Sequence, residues 1–196
     1  MIFIPNRKEG QTMNETIRSI FDRRSNRGFT EEPLTAEEIE LLQQCALASP
    51  TAMNAQSWHF TFVTDRSLIG QVEDAVVEIV CGTGDKSAID RLAGRKNKVF
   101  YDAPLAVFIS SDNNNGWSEV DAGIAVQNLA LAAHSMGLGS VIIGMCKCAF
   151  AGERGEQLAK ALHFPEGYRF TIAAAIGHPS VTKEAHDIKP DKVEVI

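Results

Sequence analysis

The chain has 196 residues, of which 44% are hydrophobic and 22% charged, with a formal net charge of −6. That length supports one domain with its own core, and the acidic balance without any long basic run argues against general nucleic-acid binding. No stretch reaches the roughly 18 consecutive apolar residues of a membrane span, and the opening MIFIPNRKEGQT is broken too early by Pro5 and Asn6 for a secretory leader.

A cytoplasmic location is therefore expected, and with it free thiols for Cys45, Cys81, Cys146 and Cys148. The CKC run at 146–148 has no second cysteine pair, whereas structural zinc takes four ligands in spaced pairs, so no metal is expected.

In chain order, residues 1–12 carry no clear pattern and read as an N-terminal extension to a single domain over 13–196. MNETIRSIFD, from Met13, reads as a short amphipathic helix with Ile17, Ile20 and Phe21 on one face. LTAEEIELLQQCALAS is a second helix, with Thr35 as N-cap and Glu38 completing a capping box, and it must stop near Pro50. SWHFTFVT, 57–64, puts Trp58, Phe60 and Phe62 on one side of a strand. A helix is expected over 66–80, then a loop and a further helix ending near Tyr101.

APLAVFISS reads as a buried strand and DNNNG as a loop. SEVDAGIAVQNLALAAHSMG is a long helix ending at Gly137, apolar almost all round and so expected to be central or at a subunit interface. SVIIG reads as a short strand, GERGEQLAKALHF as a helix and YRFTIAAAIGHP as a last core strand. Strands scattered among helices without strict βαβ alternation make an α+β pattern.

Several nucleotide and hydrolase motifs fail. In CGTGDKS, Asp85 separates Gly84 from Lys86, which breaks the phosphate-loop spacing. GLGSVI has Ile142 where a dinucleotide fingerprint needs glycine, and it follows a helix rather than a strand. No G-x-S-x-G elbow occurs, and the five histidines show no metal-ligand spacing.

Three segments remain. RRSNR, 23–27, combines guanidinium forks with a small hydroxyl, the donors a phosphate takes, although a basic helix end also favours the helix C-terminus. SPTAMNAQSW, 49–58, is a helix exit carrying two carboxamides, which suit a heterocycle with alternating N–H and C=O edges or cap an ordinary turn. AVQNLALAAHSMGLGSVIIG ends in a strand and glycine where backbone N–H groups can meet a flat ring.

Together with DAP and IGHP, these segments resemble, in order and spacing, the nitroreductase family of flavin enzymes over nearly the whole chain from Met13. The resemblance implies a mostly antiparallel central sheet wrapped by helices, in an intertwined homodimer that binds FMN at its interface. It implies that Arg23 and Ser25 hold the phosphate, Arg24 lies beside the ribityl chain and Arg27 approaches the pyrimidine edge. There a cation stabilises the negative charge that reduction adds.

From the other subunit, Pro50, Thr51, Met53, Asn54 and Gln56 are implied to line the ribityl chain and ring. Ile142, Ile143 and Gly144 are implied to offer backbone N–H groups, and Lys189 and Lys192 to close over the phosphate. Asn97 is a candidate for the pyrimidine edge. Ser57 stands where the family usually has proline, and Ile143 where many members have an acidic residue.

The implied activity is ping-pong transfer from NADH or NADPH, through FMN, to a small-molecule acceptor such as a nitroaromatic or quinone. The flavin carries the chemistry and no side chain is nominated as a catalytic acid or base. The alternatives are an FMN storage or sensor module without turnover, and a thiol protein using Cys146 and Cys148.

Overall fold

The computed structural model describes residues 14–187 and 189–196. The expected N-terminal extension, 1–12, lies outside them. Helix α1 (Glu15–Asp22) begins at Asn14, whose Oδ1 accepts the Ile17 amide at 3.0 Å. Its amphipathic face forms as the spacing predicts, yet Ile17 and Ile20 stay exposed. Helix α2 (Ala36–Leu47) starts with the expected capping box: Thr35 Oγ1 accepts the Glu38 amide at 3.2 Å, and the Glu38 carboxylate accepts the Thr35 amide at 2.7 Å.

Strand β1 (Trp58–Val63), helices α3 (Arg66–Gly82) and α4 (Lys86–Ala93), and strand β2 (Leu105–Asp112) follow. After them come helix α5 (Ser118–Ser135), strand β3 (Gly139–Ile143), helix α6 (Gly152–Ala161) and strand β4 (Tyr168–Gly177). The strands form one antiparallel sheet in the order β1-β2-β4-β3. The α+β class and the mostly antiparallel sheet expected from the sequence are therefore present.

The sheet separates two cores because strand side chains alternate between faces. On β2, Ala106 and Phe108 point to one core while Leu105, Val107 and Ile109 point to the other; on β4, Ala173 and Ala175 oppose Ala174 and Ile176. The first core is roofed by α3, α4 and α6, the second by α2 and α5. Each fully buried Leu or Phe contributes about 1.5–3 kcal/mol relative to exposure. Trp58, Phe60 and Phe62 of β1 all face the second core, as their spacing predicts.

α5 is central along most of its length, but Val120 and Ile124 on its outer face remain exposed. The helix expected to end near Tyr101 is a correction: α4 stops at Ala93. Gly94 caps it, and Lys96, Asn97, Tyr101 and Asp102 then adopt positive φ, which no right-handed helix accommodates.

Candidate functional site

The arginine segment leaves α1 and runs beside the free edge of β3. Ser25 pairs with Ser140 in a parallel bridge, where the Asn26 amide donates to the Ser140 carbonyl at 2.9 Å. Further on, the Thr30 amide donates to His178 and the Ser180 amide to Gly28. This approach needs missing side chains: a Cβ on Gly139 would sit 3.0 Å from Asn26 Cγ, and one on Gly177 would sit 2.5 Å from Pro104 Cδ. Gly139 thus lets the arginine segment lie close against β3, while Gly177 makes room for Pro104 and for Phe29, 3.1 Å from its would-be Cβ.

The arginines have different surroundings. Arg23 is half-buried, and its Nε is enclosed with no partner among the described residues. Burial, and next the neighbouring Arg24 guanidinium, hold its pKa below the usual arginine value. Arg24 turns back onto α1, where Nη1 donates to the Phe21 carbonyl at 2.6 Å and to Arg23 at 3.0 Å, serving the open carbonyl end of the helix. Arg27 is exposed, with Nη1 3.4 Å from the Ser25 carbonyl.

Arg27 reaches a cleft of about 260 Å³ at the end of β3. Val141 to Met145 form one wall, and Arg95, Val99 and Tyr101 the other. Val141 and Ile143 are buried in the first core, while Ile142 is 37% exposed. Among the described residues, the outer edge of β3 beyond Ser140 has no strand neighbour. Among the described residues Gly144 has no steric reason to be glycine, since its φ is −94° and an added Cβ would meet only Ile172 Cδ1, at 3.6 Å.

The second segment is a protruding loop. Met53, Asn54 and Gln56 have φ values of 54°, 54° and 47°, a left-handed conformation that costs non-glycine residues of order 1 kcal/mol or more each. Met53 is nevertheless 92% exposed. The loop is held from below: the Ala52 amide donates to Asp121 Oδ1 at 3.1 Å, and the Gln56 amide to Thr51 Oγ1 at 3.0 Å. Asn128 donates to Ser49 Oγ at 3.0 Å, and Asn115 donates to Ser57 Oγ. Ser57 is thus a hydrogen-bonded, buried position.

The structure brings Arg27, Ile142, Ile143 and Gly144 to one cleft and ties Ser25 to the same strand. Pro50, Thr51, Met53, Asn54 and Gln56 do not line that cleft within one chain. Lys189 and Lys192 lie on an exposed C-terminal segment outside it, and Lys192 Nζ is 3.1 Å from Asp191. Asn97 is exposed and away from the lining, whereas Arg95, Val99, Tyr101 and Met145 line the cleft and were not anticipated. Their signal is RKNK, 95–98, a second basic cluster on an acidic chain.

Cys146 is buried in the first core, where desolvation pushes its thiol far above the usual range. Cys148, also raised by burial, donates to the Met145 carbonyl.

A cleft at an edge-strand end lined by Arg27 and Arg95, on an α+β sheet, has the charge that suits an anion. The model of the nitroreductase family matches residues 20–178, and the chain belongs to that family. Among its relatives, the FMN reductase (NADPH) of Bacillus subtilis is 29% identical over 191 residues, covering 86% of this chain and 67% of that protein. The NADPH-flavin oxidoreductase of Vibrio harveyi is 29% identical over 198 residues, covering 93% and 73%. A solved nitroreductase with bound FMN from Desulfitobacterium hafniense superimposes with a TM-score of 0.90 at 34% identity, over 94% of this chain and all of the other.

Proposed function

We propose that the protein is an FMN-dependent NAD(P)H oxidoreductase that passes electrons to a small conjugated acceptor such as a nitroaromatic or quinone. The observation that carries this reading is the cleft at the end of β3, with the Arg27 guanidinium beside Ile142, Ile143 and Gly144. Family membership and FMN-binding relatives support the cofactor.

The chemistry of the residues themselves supports FMN. The enclosed, unused Nε of Arg23 is a donor suited to a phosphate, and Ser25 adds a hydroxyl on the same segment. Gly144, with no reason among the described residues to lack a side chain, leaves its backbone open to close approach by a flat ring. When bound, FMN supplies the two-electron chemistry between a nicotinamide nucleotide and the acceptor. The protein binds its phosphate through Arg23 and Ser25, orients its ring by the backbone of Ile142 to Gly144, and offsets added negative charge with Arg27. Lys189 and Lys192 are proposed to close over the phosphate, and Arg24 to flank the ribityl chain while holding the end of α1.

A second copy completes the site in this proposal. Exposed Ile17 and Ile20 on α1, Leu41 and Leu47 on α2, and Val120 and Ile124 on α5 support an apolar interface. Gly123, exposed on α5 with nothing near its would-be Cβ, suits close helix approach. The strained loop with Pro50, Thr51, Met53, Asn54 and Gln56 is then a contribution to the partner's cleft. Solution scattering is expected to give a dimer; a flavin-bearing monomer would remove that part of the proposal.

The deciding experiment is an anaerobic titration of purified protein with NADPH and with NADH, following the visible flavin band. Bleaching is expected. A band untouched by either nucleotide favours storage or sensing, and protein that neither carries nor takes up FMN rejects the reading.

A further inference from the structure

Glu73 is a buried carboxylate with no part in the chemistry above. It lies in the middle of α3 at 5% exposure. Its Oε1 accepts the amides of both Val99 and Phe100 at 2.8 Å, and its Oε2 lies 3.4 Å from Lys98 Nζ. An interior carboxylate persists only where such bonds satisfy it. The partners here all belong to one short segment, so the grip has a single object.

That segment is the wall of the cleft. Lys96, Asn97, Tyr101 and Asp102 all hold positive φ, a conformation that survives only where the surroundings over-determine it. Glu73 supplies the central tie; Arg66 donating to the Asp102 carbonyl at 3.0 Å and Lys98 paired with Asp102 at 3.1 Å supply the far end.

At the near end, Arg95 Nη1 donates to the Tyr101 hydroxyl at 2.8 Å and to Met145 Sδ at 3.6 Å, while its Nε donates to the Arg91 carbonyl at 3.2 Å. The guanidinium also lies over the Tyr101 ring at 5.5 Å. Each tie orients the cation and none neutralises it. Among the described residues, neither Arg95 nor Arg27 has a carboxylate within ion-pair distance. The cleft therefore carries two uncompensated guanidiniums.

We propose that Glu73 is a positioning residue: through the Val99 and Phe100 amides it sets Arg95 as a second cation which, with Arg27, favours the reduced, negatively charged form of the flavin in this cleft. This rests on the FMN reading above and adds two residues to it. Glu73 acts through the backbone, and Arg95 delivers the charge.

The test uses the intact flavoprotein and its Arg95→Gln, Glu73→Gln and Glu73→Leu variants, measuring the flavin midpoint potential by dye equilibration and FMN affinity by reconstitution. Arg95→Gln is expected to shift the potential to more negative values, with the ratio of reduced to oxidised FMN affinity falling about tenfold, as befits one charge-assisted hydrogen bond. Glu73→Leu removes the acceptor and is expected to move the potential the same way. Glu73→Gln keeps an oxygen for both amides and is expected to restore the parent value.

An unchanged potential in Arg95→Gln overturns the proposal. So does a Glu73→Leu protein that is less heat-stable but electrochemically normal, or a Glu73→Gln shift as large as that of Glu73→Leu. Should Glu73→Leu not fold, Arg95→Gln and Glu73→Gln decide alone: the first must shift and the second must not. Parent protein that takes up no FMN is a separate result, rejecting the functional reading itself.

Discussion

Asp121, at the start of α5, accepts the amide of Ala52 at 3.1 Å and so ties the long central helix to a loop 69 residues earlier in the chain. Asp121 is 2% exposed and its other oxygen, Oδ2, has no partner among the described residues. One carboxylate oxygen thus anchors the base of the strained 52–56 loop. Removing it in Asp121→Ala leaves a backbone donor unmet, and a cost of about 1–3 kcal/mol is expected in urea unfolding. Asp121→Asn, which keeps an acceptor oxygen and can direct its amide to the second position, is expected to cost less.

Arg23 is the residue whose role a choice of ligand isolates. Riboflavin shares the ring and ribityl chain of FMN and lacks the phosphate. Arg23→Ala is expected to weaken FMN binding by about 10–100-fold, the worth of one charged hydrogen bond, and to leave riboflavin binding unaltered. Equal losses for both ligands would place Arg23 elsewhere than on the phosphate.

Two glycines separate stability from binding. Gly177→Ala forces a methyl against Pro104 at 2.5 Å, so a destabilisation of about 1–3 kcal/mol is expected in urea unfolding. Gly144→Ala meets only Ile172 at ordinary contact distance, so stability is expected to hold within about 0.5 kcal/mol while FMN affinity falls. Undiminished affinity in Gly144→Ala would show that the ring does not approach there.

His59, on edge strand β1, has a buried Nδ1 without a partner among the described residues, and burial, then the nearby His163, lower its pKa below the usual value. The folded state therefore prefers neutral His59, whereas the unfolded chain takes up a proton near pH 6.5. The contribution is present above that pH and lost as pH falls through the lower folded pKa. Urea midpoints are expected to drop between pH 7.5 and 5.5, and His59→Gln to flatten that slope.

The cysteines have graded accessibility: Cys81 is exposed, Cys45 and Cys148 are intermediate and Cys146 is buried, with its thiol held protonated. A thiol reagent at pH 7.5 is expected to label Cys81 first and Cys146 only on unfolding. Cys148→Ser is expected to retain NAD(P)H oxidation; its loss would revive a thiol mechanism.

What the sequence revealed depended on how local the physics is. The capping box at Thr35 and Glu38 and the alternation of Trp58, Phe60 and Phe62 are set within a few residues, and both appear as expected. The wall from 95 to 102 was illegible because its shape comes from Glu73, 26 residues before Val99, and from left-handed turns at residues other than glycine. Local pattern alone reads as helix there and gives Arg95 no distinguishing mark. The face of α1 was legible as a pattern, but the exposure of Ile17 and Ile20 on it was not.

The bridge between Ser25 and Ser140 works as a ruler. Because that pairing fixes the arginine segment to a set point on β3, its separation from Gly144 is four strand rises, about 13 Å. The missing side chain of Gly139 lets Asn26 sit against the strand at that point. A ligand that engages both ends must match this length, so in the proposed site length as well as chemistry selects the cofactor. A longer dinucleotide bearing the same ring has its terminal group beyond the mark.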